Sequence, residues 1–161
     1  MANVQKVHTC LWFDTQGEDA ARFYTSLFPN SRMIHVSHYP ANAPMPEGTP
    51  MLIRFVLGGT EFSALNGGKH FKLTEASSLV AVCDDQAELD RLWSQLTADG
   101  GAPSECGWLK DRFGVSWQLW PAGLAEMLAD PDKAAVNRVL QAVWKMKKLD
   151  MATLGKAYRG T

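Results

Sequence analysis

A histidine, a cysteine and a tryptophan alternate near the start of the chain, as His8, Cys10 and Trp12 in the run VHTCLWF. Every second residue of a β-strand points to the same side, so an imidazole, a thiol and an indole share one face. The imidazole titrates near neutrality and can act as a general base. A thiol becomes a nucleophile only beside a base or a positive group. The same spacing recurs at Glu61 and Ser63, at Cys106 and Trp108, and at Gln118 and Trp120, while Ser77 opens another apolar run. These ten residues are the candidate lining of a small-molecule pocket. His8, Glu61 and Gln118 are the candidates for catalysis or for orienting a substrate.

Each of these readings has a plainer rival. A lone histidine is commonly just hydrogen-bonded in place. Cys10 and Cys106 can be inert thiols, because no third member of a triad stands out. Trp12, Trp108 and Trp120 can wall a pocket or simply fill it. Asp111-Arg112-Phe113-Gly114 resembles a catalytic motif, yet between two strands it reads better as a turn, with Gly114 supplying backbone freedom.

The elements that position these residues come from the apolar periodicity. VHTCLWF is rich in β-formers and predicts a strand over 7–13. Ala20, Phe23, Tyr24 and Leu27 recur at helical steps, and Pro29-Asn30-Ser31 ends that helix. Strands are expected at Met33–Tyr39, Met51–Leu57 and Thr60–Asn66, the last two joined at Gly58-Gly59. The stretch 41–50, with three prolines, is a loop. The order then returns: a strand at Ser77–Cys83, a helix at Gln86–Ala98 stopped by Gly100-Gly101, and strands near Glu105–Lys110 and Val115–Trp120.

A shift of 69 positions sets Leu11 on Val80, Phe13 on Val82, Ala20 on Leu89 and Leu27 on Leu96. A shift of 55 sets Gly59 on Gly114, Phe62 on Trp117 and Ala64 on Leu119. One strand–helix–strand–strand–strand unit used twice explains both. Under this register Leu11, Phe13, Val80 and Val82 pack on the helices. His8, Cys10, Trp12, Ser77, Leu79 and Ala81 then face inward from the opening strands, as do Glu61, Ser63, Leu65, Ser116, Gln118 and Trp120 from the closing ones.

The totals bound the possible functions. The 161 residues, 46% hydrophobic and 20% charged, describe an ordinary globular chain of net charge −1. No broad positive field is present for nucleic acid. No apolar stretch of about 18 residues exists to cross a bilayer, and the N-terminal MANVQKVHT lacks a signal-peptide core. The three cysteines are odd in number and widely spaced, so reduced thiols in a cytoplasmic protein are expected, with no zinc knuckle. After the second unit, Val136, Val139, Leu140 and Val143 predict a helix. Asp132 falls in its first turn and Lys145, Lys147 and Lys148 in its last.

LWFDTQGEDAARFYTSLFPNS, ALNGGKHFKLTEASS (64–78), VCDDQAELDRLW (82–93) and CGWLKDRFGVSWQLWP (106–121) resemble, in order and spacing, the blocks of the PhnB-like family of the vicinal oxygen chelate superfamily. The tail AVWKMKKLDMATLGKAY (142–158) resembles that family's C-terminal extension. The superfamily includes glyoxalases, antibiotic-resistance proteins and extradiol dioxygenases. The resemblance implies an α+β chain of two βαβββ modules whose curved sheets enclose a cavity: module one over 4–70, module two over 75–121, and a helical extension over 122–161. It also implies a homodimer, and the apolar tail is expected to pack partly across its interface.

Metal-dependent members carry ligands on the first, fourth, fifth and eighth strands, places that fall here on His8, Ser63, Ser77 and Gln118. Only His8 is a strong ligand for a divalent transition ion, so no metal and no other cofactor is expected. Proteins of this type often bear a demethylubiquinone methyltransferase label. No glycine-rich strand-to-helix turn suited to S-adenosylmethionine is present at GG58–59, GG67–68 or GG100–101. Three functions remain open: a metal-independent enzyme acting on a small organic molecule, a non-catalytic sequestering protein, or a metal-dependent isomerase or dioxygenase using His8 and Glu61.

Overall fold

The computed structural model describes residues 5–161; residue 4, the expected start of module one, and the rest of the N-terminal tetrapeptide lie outside the described residues. The chain divides into two compact units, Met1–Leu73 and Thr74–Thr161, and the C-terminal helices belong to the second.

The first unit runs β1 (Thr9–Phe13), α1 (Gly17–Leu27), β2 (Arg32–His38), β3 (Pro50–Leu57) and β4 (Thr60–Asn66). Its sheet has the order β1-β4-β3-β2. β1 lies parallel to β4, with Leu11 beside Ala64 and Cys10 beside Ser63. This parallel pairing follows from the helical crossover between the strands. Leu11, Phe13, Ile53, Phe55 and Ala64 are buried, as are Ala20, Ala21, Tyr24 and Leu27 of α1. Burying each of the larger side chains stabilises the unit by roughly 1.5–3 kcal/mol before entropy is counted.

α1 has no side-chain cap of its own: Gln16 precedes it without a capping bond. The first helical N–H, on Gly17, instead donates to Asn66 Oδ1 at 2.7 Å, while Asn66 Nδ2 donates to the Pro50 carbonyl at 3.0 Å. Asn66 is fully buried and ties the helix start to two strands. Glycine is required at 17 for this approach, since a Cβ there would meet Asn66 Oδ1 at 2.7 Å.

The second unit repeats the plan with β5 (Ser78–Cys83), α2 (Gln86–Thr97), β6 (Ala102–Pro103), β7 (Trp108–Lys110) and β8 (Ser116–Pro121), in the order β5-β8-β7-β6. The two-residue β6 stands where the repeated βαβββ unit requires a strand. Leu89, Leu92 and Leu96 of α2 are buried, together with Ala81, Cys83, Leu109, Trp117 and Leu119 of the sheet. α2 is capped locally. Asp85 accepts from Glu88 N at 2.8 Å, and Glu88 Oε2 accepts from Asp84 N at 2.8 Å, a capping box whose return bond reaches one residue further back.

The register of β5 corrects one expectation. β5 pairs with β8 so that Ala81 lies beside Leu119 and Val80 beside Gln118. Leu11 therefore matches Ala81, a shift of 70, and Phe13 matches Cys83. Val80 and Val82 are not helix-side core; they are 48% and 61% exposed, and Ala81 and Cys83 are buried in their stead. The helices keep the shift of 69 because the link from β5 to α2 is one residue shorter than that from β1 to α1.

The turn at 111–114 is structural, as expected. Asp111 is buried, and its Oδ1 accepts from Phe113 N and Val115 N at 2.9 and 3.0 Å while its Oδ2 accepts from Trp117 Nε1 at 2.9 Å.

Beyond β8 come α3 (Leu124–Leu128), α4 (Lys133–Val143) and α5 (Met151–Arg159). Asp132 caps α4 by accepting from Ala134 N and Ala135 N. Lys145, Lys147 and Lys148 lie past the helix end rather than in its last turn. Lys148 pairs with Asp90 at 2.5 Å, and Lys147 lies 3.6 Å from Glu105. Val139, Leu149 and Leu154 are buried. The tail latches onto its own unit where Cys106 N and Gly107 N donate to the Met146 and Lys147 carbonyls, both at 2.7 Å. Trp144 stays 57% exposed. Among the described residues no helix is long and apolar enough to cross a membrane.

Candidate functional site

Each sheet has one face against helices and one without. On the helix-free face of the first sheet, Cys10 lies beside Ser63, and Ser63 lies opposite Arg54. Cys10 is exposed and Ser63 buried. Glu61 Oε1 accepts from Arg54 Nε at 2.9 Å and Nη2 at 2.5 Å, so this carboxylate is already engaged. Trp12 is half-buried. Its Nε1 donates to the Gly68 carbonyl at 2.9 Å, and its ring meets Phe71 edge-on at 4.9 Å. A Cβ on Gly67 would fall 2.3 Å from the Trp12 ring, so glycine lets the loop lie flat against the indole. His8 is exposed and sits one residue before β1 begins.

On the helix-free face of the second sheet, strand alternation gathers Ser78, Val80 and Val82 of β5, Ser116, Gln118 and Trp120 of β8, and Trp108 and Lys110 of β7. Ser77 is not among them. It lies exposed before the strand, and Ser78 takes the place expected for it. Trp120 Nε1 donates to Gln118 Oε1 at 3.0 Å, and Gln118 Nε2 donates to Ser78 Oγ at 2.9 Å. The amide of Gln118 thus has both ends engaged by neighbours on its own sheet.

Beside this network lies a cavity of about 520 Å³, within the range of small-molecule sites. Its walls include β6 with Trp108, Lys110, Ser116, Cys106 and Glu75. Lys110 lies directly opposite Ser116 across β7 and β8. Its ammonium meets Glu75 at 2.5 Å, and this contact holds the Glu75 carboxyl below the usual carboxylate range. Ser116 is 2% exposed, and its Oγ is sealed from solvent with no hydrogen-bond partner among the described residues. A buried hydroxyl without a partner is uncommon and costs free energy. Cys106 holds a left-handed backbone, φ 59°, rare for a residue with a side chain. The latch to Met146 and Lys147 fixes it there.

Of the ten candidate residues, Cys106 and Trp108 line this cavity. Gln118 and Trp120 share its sheet face. His8, Cys10, Trp12, Glu61 and Ser63 belong to the first unit. Alternation puts Ser116 on the pocket face, as expected, while Lys110 and Glu75 are additions that the structure makes. Lys110 was legible by the same rule, two residues from Trp108; Glu75 was not, because it reaches the cavity from a turn.

The third cysteine is chemically quiet. Cys83 is fully buried, and burial, reinforced by the nearby Glu88 carboxylate, pushes its thiol up to about 12.

The donor set does not fit a divalent transition ion. At the candidate positions the first unit offers one exposed imidazole, His8, and a carboxylate held by a guanidinium. The second offers hydroxyls and an amide whose oxygen already accepts from an indole. Among the described residues no three His, Cys, Asp or Glu side chains gather as a metal site.

Residues 5–120 match the family model described as 3-demethylubiquinone-9 3-methyltransferase. No curated protein matches the chain by sequence. Among solved structures, a putative 3-demethylubiquinone-9 3-methyltransferase, PhnB protein, from Bacillus cereus is 37% identical, over 73% of this chain and all of that one, with a TM-score of 0.68. A protein from Pseudomonas aeruginosa is similar at 20% identity, covering 73% of this chain and 98% of its own, with a TM-score of 0.60. The fosfomycin resistance protein FosX from Mesorhizobium loti shares the fold at 17% identity, over 81% of this chain and 100% of that one, with a TM-score of 0.54. Two βαβββ units, the match along the chain and the Bacillus relative together establish that this chain belongs to the PhnB-like, 3-demethylubiquinone-9 3-methyltransferase family of the vicinal oxygen chelate superfamily.

Proposed function

We propose that this protein binds a small organic molecule on the helix-free face of its second sheet, without a transition metal. One observation carries the reading: Ser116, whose Oγ is buried and unpaired, lines a cavity that also presents an indole, a thiol and an ammonium. An unmet hydrogen-bonding group inside a concave, largely apolar site is what a bound polar atom would satisfy. The methyltransferase name describes the family. In this chain GG58–59 turns between β3 and β4, GG67–68 follows β4 and GG100–101 follows α2. None of these is the strand-to-helix turn that cradles a nucleotide-like cofactor.

Sequestration is the second reading, favoured by Gln118. Its amide is held by Trp120 and Ser78 rather than free for a reacting group. Under the enzymatic reading His8→Ala abolishes turnover. Under sequestration His8→Ala leaves ligand affinity unchanged, with no activity to lose. The proposal further includes a cytoplasmic setting, in keeping with three free thiols, and a homodimer, in keeping with exposed Val80, Val82 and Trp144. Light scattering at micromolar concentration tests the dimer, and a monomer counts against it.

Filling the cavity tests the site. Ala102→Trp places an indole at its exposed wall. Fragments that shift the Trp108 and Ser116 amide resonances of the native protein are expected to lose that effect in the variant. Fragment binding that ignores the substitution would place the site elsewhere.

A further inference from the structure

The cavity lining includes one cation, Lys110, and Ser116, whose hydroxyl is unpaired, and the two are neighbours. Lys110 and Ser116 are cross-strand partners, so their side chains leave the sheet on the same side, with Cβ atoms about 5 Å apart. The remaining wall is largely apolar, from Ala102, Pro103 and Trp108. Two carboxylates also reach the lining. Glu105 is 63% exposed at its side chain and lies toward Lys147. Glu75 lies on the turn before β5 and rests on Lys110.

We propose, resting on the small-molecule reading above, that the ligand is an organic monoanion with an apolar ring or chain. Its carboxylate takes the Lys110 ammonium and the Ser116 hydroxyl, and Glu75 is an internal counter-ion that the ligand displaces. The Ser116 hydroxyl has no hydrogen-bond partner among the described residues, and Ser116 lines the cavity beside Lys110. A charge-assisted bond from a hydroxyl to a carboxylate is stronger than a neutral one. The Lys110–Glu75 contact is solvent-exposed on both sides, 42% and 67%. Exposed pairs of this kind are weak, so exchange of one carboxylate for another is cheap. The apolar wall then distinguishes the ligand from Glu75 by covering its ring or chain.

The test uses a matched pair of probes, 2-naphthoate and its neutral counterpart 2-naphthamide, titrated into the full chain and followed through the Trp108, Lys110 and Ser116 amide resonances. Naphthoate is expected to bind up to about fivefold more tightly than naphthamide, the upper reach of a partly exposed charge contact. Lys110→Met should erase that preference while leaving naphthamide affinity unchanged. Glu75→Gln should strengthen naphthoate severalfold by removing its competitor. Ser116→Ala should weaken naphthoate more than naphthamide. All three substitutions are read against an unchanged spectrum of the first unit, so misfolding is recognised separately. Equal binding of the two probes, or a naphthoate preference that survives Lys110→Met, overturns the anion site while leaving the cavity reading intact. Tighter binding of 2-naphthylmethylammonium than of naphthoate overturns it too, and assigns the two glutamates the ligand. If none of the probes perturbs these resonances, the cavity reading fails together with this one.

Discussion

Asp111→Ala should be among the most destabilising single substitutions in the second unit, while Asp111 plays no part in binding. The carboxylate is 2% exposed and receives three hydrogen bonds, from Phe113 N, Val115 N and the Trp117 indole. Alanine removes the acceptor that these three donors share. Val115 and Trp117 are buried at 3% and 2%, so water does not readily replace the lost partner there. A stranded buried donor costs about 1–3 kcal/mol. Two such donors, less the relief of no longer burying a charge, give a loss of about 3 kcal/mol. Asp111→Asn keeps one acceptor oxygen and should lose about half as much. Urea denaturation followed by tryptophan fluorescence measures both. A double-mutant cycle with Trp117→Phe should return a coupling of about 1 kcal/mol or more. If Asp111→Ala stays within about 0.5 kcal/mol of the native protein while ligand binding disappears, the turn is functional machinery and this reasoning is wrong.

The β5 register gives a sharper pair of substitutions. Val82→Thr, at an exposed position, should change stability by no more than about 0.5 kcal/mol, whereas Ala81→Asp should cost several kcal/mol by burying a carboxylate under α2; the reverse pattern in denaturant midpoints would restore the shift of 69. Gly17→Ala drives a methyl to within 2.7 Å of Asn66 Oδ1 and should cost about 1–3 kcal/mol, with broadened amide signals at the start of α1. In a native-state labelling experiment Cys10 should react with an aromatic disulfide reagent in seconds while Cys83 resists until the chain unfolds. The Cys83 thiol keeps its proton up to about pH 12 in the folded chain, but the unfolded chain releases it near the ordinary value of 9.0. Its contribution to stability is complete below pH 9 and falls as pH rises toward 12, so the native protein should lose about 1 kcal/mol more than Cys83→Ala between pH 8 and pH 10.

Much of the architecture was readable because helices and half-buried strands leave different periods. Leu89, Leu92 and Leu96 mark α2 without ambiguity, and β4 begins and ends where its alternation does. β5 defeated the same reasoning for a physical reason. Leu79, Val80, Ala81, Val82 and Cys83 are apolar on both faces, so alternation cannot say which face meets the helix. The repeat points one residue off because the loops before the two helices differ in length. That slip turned Ser78 into Ser77 at the mouth of the second sheet. The pocket was half legible for a related cause. Trp108 and Ser116 stand on strands and obey alternation, whereas Glu75 and Cys106 are brought in by a turn and by a left-handed loop held from the tail.

The two helices also differ in what their first turns wait for. α2 carries Asp85 and Glu88 within its own opening residues, so its nucleus needs only a few adjacent dihedrals to settle. α1 depends on an asparagine 49 positions downstream, and that donor–acceptor match exists only after β1 and β4 have met. Nucleation of the second unit is therefore a local event, and that of the first is charged with closing a long loop. Pulsed hydrogen exchange during refolding should record amide protection in α2 before α1, an asymmetry in time between two halves that look alike once folded.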